Sequence, residues 1–143
     1  MAARYQRGLA RRAGNGLVRA LLRLGLGPAR TYLLTVTGRR SGAPRSTPVT
    51  LVEEGGQRWL VSPYGEVAWV RNLRATGRAT LSHCGRTEAV AAREITPEEA
   101  APVLKMYVTR VPITRPYFDV KPESDLSAFH AEAPRHPVFA IVG

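Results

Sequence analysis

The chain has 143 residues and a mass of 15.6 kDa, and it is 44% apolar and 22% charged. Those values fit one globular domain with a core of its own, and exclude global disorder and a fibrous repeat. The formal net charge is +10, from 21 basic and 11 acidic residues.

The excess charge has a place. Residues 1–45 hold ten arginines and no acid, whereas residues 46–143 hold eleven basic and eleven acidic residues. Such an end suits an anionic partner: nucleic acid, an anionic membrane face or a polyanionic small molecule; a solvated basic arm is the plain alternative. No recognised nucleic-acid motif or interleaved aromatic pattern is present, so nucleic acid ranks last. The single cysteine, Cys84, excludes an intrachain disulfide and a thiolate-rich metal site, and His83, His130 and His136 have no close metal-ligand spacing. No apolar run approaches 18 residues and no signal-peptide cleavage pattern follows the first one, so a cytoplasmic location is expected.

In chain order, residues 1–15 are polar and basic. Residues 17–26 predict a helix with Leu17, Val18, Leu21 and Leu22 on one face and Arg12, Arg19 and Arg23 on the other. It could lie on an anionic membrane surface or pack its leucines on the domain. Gly25 and Gly27-Pro28 stop it, which sets residues 1–28 apart as a basic arm and leaves 29–143 as the domain.

Strand patterns follow: Tyr32–Thr37, then the turn Gly38-Arg39-Arg40-Ser41-Gly42, then Arg45–Glu53, a Gly55-Gly56 hairpin turn, and Gln57–Ser62. Pro63-Tyr64-Gly65 breaks the third strand. A short helix is expected over Glu66–Ala75, with Trp69 and Leu73 one turn apart and Gly77 ending it. Two more strands, Arg78–Cys84 and Arg86–Ile95, turn at Gly85. Thr96-Pro97-Glu98-Glu99 is a helix start, with Thr at the N-cap, Pro at N1 and Glu at N3, and this helix runs to about Thr109. Residues 110–123 read as an ordered loop with Tyr117 and Phe118, Ser124–Glu132 as a short helix and Pro137–Val142 as a last strand. Five or six strands with short hairpins and a few helices predict a mainly β small barrel with helical additions.

Catalytic constellations of hydrolases are missing. His83 and Cys84 are adjacent in a strand pattern and would point to opposite faces, so Cys84 reads as a buried, inert thiol. The glutamates read as surface or capping residues, and no Walker A or GxGxxG fingerprint occurs. An anion-binding face is left. The glycines of the 38–42 turn let backbone N–H groups converge, while Arg39, Arg40, Ser41 and Arg45 offer donors to a phosphate; a solvated hairpin is the alternative. Ser62-Pro63-Tyr64-Gly65, before a helix, could hold a phosphate or a flavin carbonyl. Trp69 is either core or a cofactor neighbour, and Asn72 either holds a loop or touches ligand.

Taken together, TYLLTVTGRRSGAPRSTPVTLVEEGGQRWLVSPYGEVAWVRNLRATGRATL, the TPEEA helix start and the final HPVFAIV strand resemble the deazaflavin (F420)-dependent nitroreductase family of the flavin/deazaflavin split β-barrel superfamily. The likeness covers roughly residues 31–110, and GRRSGAPRSTPV, SPYG and WVRNLRA are specific as a set. It implies a split β-barrel with coenzyme F420 across a groove. The cofactor phosphate would lie near Arg39, Ser41, Arg45 and the loop at Tyr64-Gly65, and its ring by the backbone of Thr47-Pro48 and Ser62. Trp69 and Asn72 would belong to the segment closing the site. The cofactor's polyglutamate tail suits the basic N-terminal half. Family members commonly carry a longer loop with a Lys-His-Pro element before the tryptophan; here it is Tyr64–Ala68, and Glu66 brings a negative charge for which Arg71 would compensate. Where the family sets tyrosines over the substrate, Tyr107, Tyr117 and Phe118 are available, with Tyr107 and Tyr117 as proton donors.

The implied activity is F420H2-dependent hydride transfer to a quinone, nitro compound or activated alkene, an apolar or aromatic small molecule. The same superfamily contains flavin mononucleotide (FMN) binders, so FMN is the alternative cofactor, and a non-catalytic cofactor- or lipid-binding protein is the alternative function. The expected assembly is a monomer or homodimer, with the basic helix as a peripheral contact to the inner membrane face.

Overall fold

A computed structural model of the protein describes residues 31–142. The expected basic arm and its helix at residues 17–26 lie outside the described residues. The chain runs β1 (Thr31–Thr37), β2 (Pro44–Glu54), β3 (Gln57–Val61), α1 (Ala68–Thr76), β4 (Arg78–His83), β5 (Arg86–Glu94), α2 (Pro97–Arg110), α3 (Leu126–Glu132) and β6 (Val138–Val142), with 3₁₀ turns at Pro112–Tyr117 and Ala133–Arg135.

The six strands close an antiparallel barrel in the order β1-β2-β3-β6-β5-β4. Side chains alternate between its two faces, as the two-residue period of a strand requires. Leu34, Val36, Val49, Leu51, Leu60, Leu81, Val90, Phe139 and Ile141 fill the interior, joined by Val70 and Leu73 of α1. The opposite parity of β2, β3 and β6 (Val52, Val61, Val138 and Ala140) packs outward on Leu104, Tyr107 and Val108 of α2 and Phe129 of α3. The barrel therefore has two cores sharing one wall.

Local sequence sets the helix ends. Thr96 Oγ1 accepts the Glu99 N–H at 3.3 Å and the Glu99 carboxylate accepts the Thr96 N–H at 3.4 Å, the reciprocal box expected there. Pro102 lies inside α2 without ending it, exposed, so its ring costs one backbone bond and no packing. Gly77 ends α1 in the left-handed region at φ 68°, its N–H donating to the Leu73 carbonyl at 2.7 Å.

Cys84 departs from expectation. The strand stops at His83, and Cys84 occupies the following turn at φ 49° with Gly85 at 78°, so its thiol is exposed. The strand alternation that would have buried it does not reach it. Among the described residues no helix is long and apolar enough to cross a membrane.

Candidate functional site

Although the barrel closes, half of β2 is paired on one side only. Pro44–Thr50 pair with β1, whereas Leu51–Glu54 pair with β3. The β2–β3 pairing ends at Leu60, while β3 pairs with β6 from Trp59 to Val61. Among the described residues the 44–50 half of β2 thus has no strand partner on its second side. Pro48, which has no N–H to give, suits such an edge. Thr47 and Pro48 are both half-buried there.

Two loops flank this edge, and α1 connects them. The turn at residues 38–43 is closed by Gly38 N–H to the Ala43 carbonyl at 2.8 Å and by Gly42 N–H to the Gly38 carbonyl at 2.9 Å. Ser41 Oγ accepts the Ala43 N–H at 3.2 Å, and a Cβ on Gly38 would stand 2.7 Å from that oxygen. The turn is fastened to α1 by Asn72. Its buried Oδ1 accepts both the Arg39 N–H at 3.0 Å and Arg39 Nη1 at 2.9 Å. Of the two roles open to Asn72, the structure shows it holding a loop. Arg40, Arg45 and Arg71 are exposed and form no ion pair among the described residues.

The second loop begins at Ser62, fully buried, whose N–H donates to the Pro137 carbonyl at 2.9 Å and whose Oγ donates to the Gly65 carbonyl at 2.5 Å. Gly65 takes φ 84°, which favours glycine, and a Cβ there would meet the Arg135 carbonyl at 3.5 Å. The loop leads into the N-terminus of α1, which has neither a side-chain cap nor an acid in its first turn. Glu66, expected to burden this end with negative charge, is instead ion-paired with Arg74, which also holds Glu94 at 2.7 and 2.8 Å. The compensating arginine is Arg74, one helical turn beyond the expected Arg71.

Trp69 is half-buried against the interior core, its ring 6.0 Å from that of Phe139, so it packs as core. The aromatics converge over the second loop. Tyr64 is 38% exposed and meets Tyr117 edge-on, with ring centroids 4.8 Å apart. Tyr107 lies beneath, buried, 6.2 Å from the ring of Phe118. Burial, and then neighbouring Tyr64, push the Tyr107 phenol well above its ordinary 10, against the pull of the Thr114 hydroxyl. Tyr107 therefore keeps its proton through neutral pH.

Three further groups belong to this place. Phe118 stacks on His136 with centroids 3.9 Å apart. His136 Nδ1 is 3.0 Å from the Pro63 carbonyl, and Nε2 is 2.7 Å from Glu132 Oε2. Glu132 and His136 are 2% and 3% exposed, so the reading of every glutamate as surface or capping fails at Glu132. Their i,i+4 spacing was the available signal. Burial, foremost, lowers the His136 pKa from 6.5, while Glu132 and the Pro63 carbonyl oppose it.

These features fit a flat polar ring with an anionic tail: an unpartnered backbone edge, exposed arginines at one flank, an uncapped helix start and an aromatic cover. Known proteins agree in fold. A solved F420-H2 dependent reductase (FDR-A) is 26% identical over 80% of this chain and 95% of its own, with a TM-score of 0.58. A protein solved as a domain-swapped dimer is 23% identical over 89% and 95%, at 0.59. A heme binding protein from Mycobacterium smegmatis is 17% identical over 96% of this chain and 52% of its own, at 0.55, and shares the fold alone. The architecture is the split β-barrel of flavin- and F420-binding proteins. Residues 3–121 match the model of the F420H2-dependent quinone reductases, so the chain belongs to that family, oxidoreductases whose reductant is coenzyme F420.

Proposed function

We propose that this protein reduces a quinone at the open edge of β2, with F420 held between the 38–45 turn and the 62–65 loop. The observation that carries the reading is the arrangement around α1. Asn72 fastens the arginine-bearing turn to the helix, and the Ser62–Gly65 loop feeds its uncapped N-terminus. In this reading Arg39, Ser41 and Arg45 bind the cofactor phosphate, with Arg40 and Arg71 adding positive potential for the polyanionic tail. Thr47, Pro48 and Ser62 border the ring through backbone atoms, and Tyr64 and Gly65 shape the loop beside it. Trp69 and Asn72 support from behind, one by packing and one by holding Arg39.

When bound, reduced F420 supplies a hydride, two electrons at once. The chain supplies position and exclusion of water. Tyr64 and Tyr117 present an aromatic face to a planar, apolar substrate. Tyr107 and Tyr117 are the proton donors of the reading. The Tyr107 phenol, holding its proton at Oη, offers a donor and no base. A quinone, needing a hydride and a proton to become a hydroquinone, suits this better than a substrate requiring a base; nitro compounds and activated alkenes are the other acceptors of the same chemistry. Residues 1–28 are proposed as a separate basic arm, able to meet an anionic membrane face where apolar quinones reside. A homodimer is proposed on the precedent of the domain-swapped relative, with a monomer as the alternative.

The test is fluorescence titration of the full chain with F420 and, separately, FMN, followed by F420H2 reoxidation with and without a soluble quinone. Tight binding of F420 alone and faster reoxidation with quinone are expected. Binding without acceleration would replace the enzyme reading with a carrier; binding of neither would overturn the site.

A further inference from the structure

The segment Arg135–Pro137 forms a seat for the Ser62–Gly65 loop. The Pro137 carbonyl accepts the Ser62 N–H, His136 Nδ1 meets the Pro63 carbonyl, and the Arg135 carbonyl lies 3.5 Å from where a Cβ on Gly65 would stand. Only the middle contact involves a group that can gain or lose a proton. Both of its ring nitrogens face acceptors: a carbonyl, which has no proton to give, and the Glu132 carboxylate. Glu132 in turn accepts from Arg135 Nη2 at 2.6 Å and from the Asp119 N–H at 3.2 Å, donors that suit a carboxylate. Opposite a carboxylate, each ring nitrogen carries a proton when both contacts are hydrogen bonds.

We propose that Glu132 and His136 are positioning residues for the cofactor loop: a doubly protonated His136, oriented by Glu132, holds the Pro63 carbonyl and thereby fixes Tyr64 and Gly65 for F420. The inference rests on the reading of residues 62–65 as cofactor-binding. The groups that face the imidazole are Glu132 from α3, Arg135 from the following 3₁₀ turn, and the Asp119 backbone. The Asp119 carboxylate is occupied by Arg135 Nη1 at 2.8 Å. Tyr64 lies on the loop itself, Tyr117 stands against Tyr64, and Phe118, stacked on the imidazole, has the Tyr107 ring 6.2 Å away. Loss of the Nδ1 proton turns an attraction for the Pro63 carbonyl into a repulsion between lone pairs, and frees the loop at its middle. Since burial works against the second proton, the latch opens as pH rises.

Two substitutions separate the two contacts. The amide nitrogen of His136→Asn falls near Nδ1 and keeps a donor toward Pro63 at every pH. That of His136→Gln falls near Nε2 and keeps only the Glu132 contact. F420 affinity is measured by fluorescence titration of the full chain between pH 5 and 8, each variant against wild type at the same pH so that the cofactor's own titration cancels. Wild type and H136N are expected to match at pH 5. Relative to H136N, wild type weakens as pH rises. H136Q is expected to bind about tenfold more weakly at pH 5, the loss of one charge-assisted hydrogen bond. Glu132→Gln, which removes the charge favouring the second proton, shifts the wild-type transition to lower pH.

A cofactor-free readout runs beside it: nitrogen-15 shifts of the His136 ring and of the Tyr64 amide in the labelled wild-type chain. A doubly protonated ring at low pH whose titration moves the Tyr64 amide in step supports the latch. A singly protonated ring throughout, or H136Q binding as tightly as H136N, overturns it. If the NMR coupling is present and wild type binds no F420 at any pH, the latch stands and the assignment of the loop to F420 fails.

Discussion

Asn72 fastens the arginine-bearing turn to α1 through a single atom, Oδ1, which makes it the sharpest place to perturb. Asn72→Ala removes the acceptor of two hydrogen bonds, one from a backbone N–H and one from a guanidinium, at a residue only 4% exposed. A neutral bond contributes about 1 kcal/mol and a charge-assisted one about 1.5–3, here reduced because the Arg39 side chain can turn to water; the loss comes to about 2–3 kcal/mol. At about 4 °C per kcal/mol for a chain of this size, the melting temperature falls about 8–12 °C. Asn72→Asp keeps the acceptor and its shape, so it should recover at least half of that stability. It also sets a negative charge against Arg39, at the flank where the phosphate is proposed to bind. At an effective dielectric of about 20, that charge costs roughly tenfold in F420 affinity, less at high salt. Thermal melts and fluorescence titrations at two salt concentrations read both effects. An unchanged melting temperature for N72A would refute the clamp. N72D binding F420 as tightly as wild type would refute the placement of the anion.

Thr96→Ala removes the α2 capping box and should cost about 1 kcal/mol in urea unfolding, while Thr96→Ser should not. Arg58 holds the Glu88 carboxyl and Arg135 the Asp119 carboxyl below their ordinary values of 4.5 and 3.8. Folded values below unfolded ones stabilise above those ordinary values and lose that stabilisation as pH falls through the folded ones. Urea midpoints should therefore drop on acidification below about pH 4.5, by less in Glu88→Gln. The sign reverses at Tyr107, whose folded value is raised: its contribution is present below pH 10 and lost above it, so Tyr107→Phe should flatten the alkaline fall in the urea midpoint. If either tyrosine donates a proton to the product, Tyr107→Phe and Tyr117→Phe should lower turnover more than F420 affinity, and unchanged turnover would exclude that residue.

The sequence shows elements wherever one local rule decides them. Strand-forming residues bounded by turns set β1 to β6, the Thr96–Glu99 box sets the start of α2, and Gly77 ends α1. Strand order is another matter. β6 lies between β3 and β5, far away in the chain, and nothing in its own pattern names those neighbours. Cys84 shows the same limit at one residue: its burial turned on whether the strand ended at His83 or one position later. Arg74 rather than Arg71 pairs with Glu66 because α1 starts at Ala68, two residues later than the pattern suggested, and because Glu94 of β5 draws Arg74 toward the same place.

The candidate site divides along the same line. Its basic turn is legible because glycine, serine and arginine crowd into a few consecutive residues, and chemistry that is local in sequence can be read there. The opposite flank is assembled from the 62–65 loop, Tyr107, Phe118, Glu132 and His136, drawn from four separate stretches. Each has a bland reading alone: a loop, a core tyrosine, a core phenylalanine, a surface glutamate. Only the barrel wall shared by the two cores brings them together, since α2 and α3 pack outside β3 and β6 while the 62–65 loop emerges at the end of β3. A buried Glu–His pair in that position is costly unless every polar atom is satisfied. Here the satisfaction is completed by the Pro63 carbonyl, an atom of the loop itself. The stability of the outer core and the position of the loop are thus parts of one hydrogen-bond network, and a change in either is expected to appear in the other.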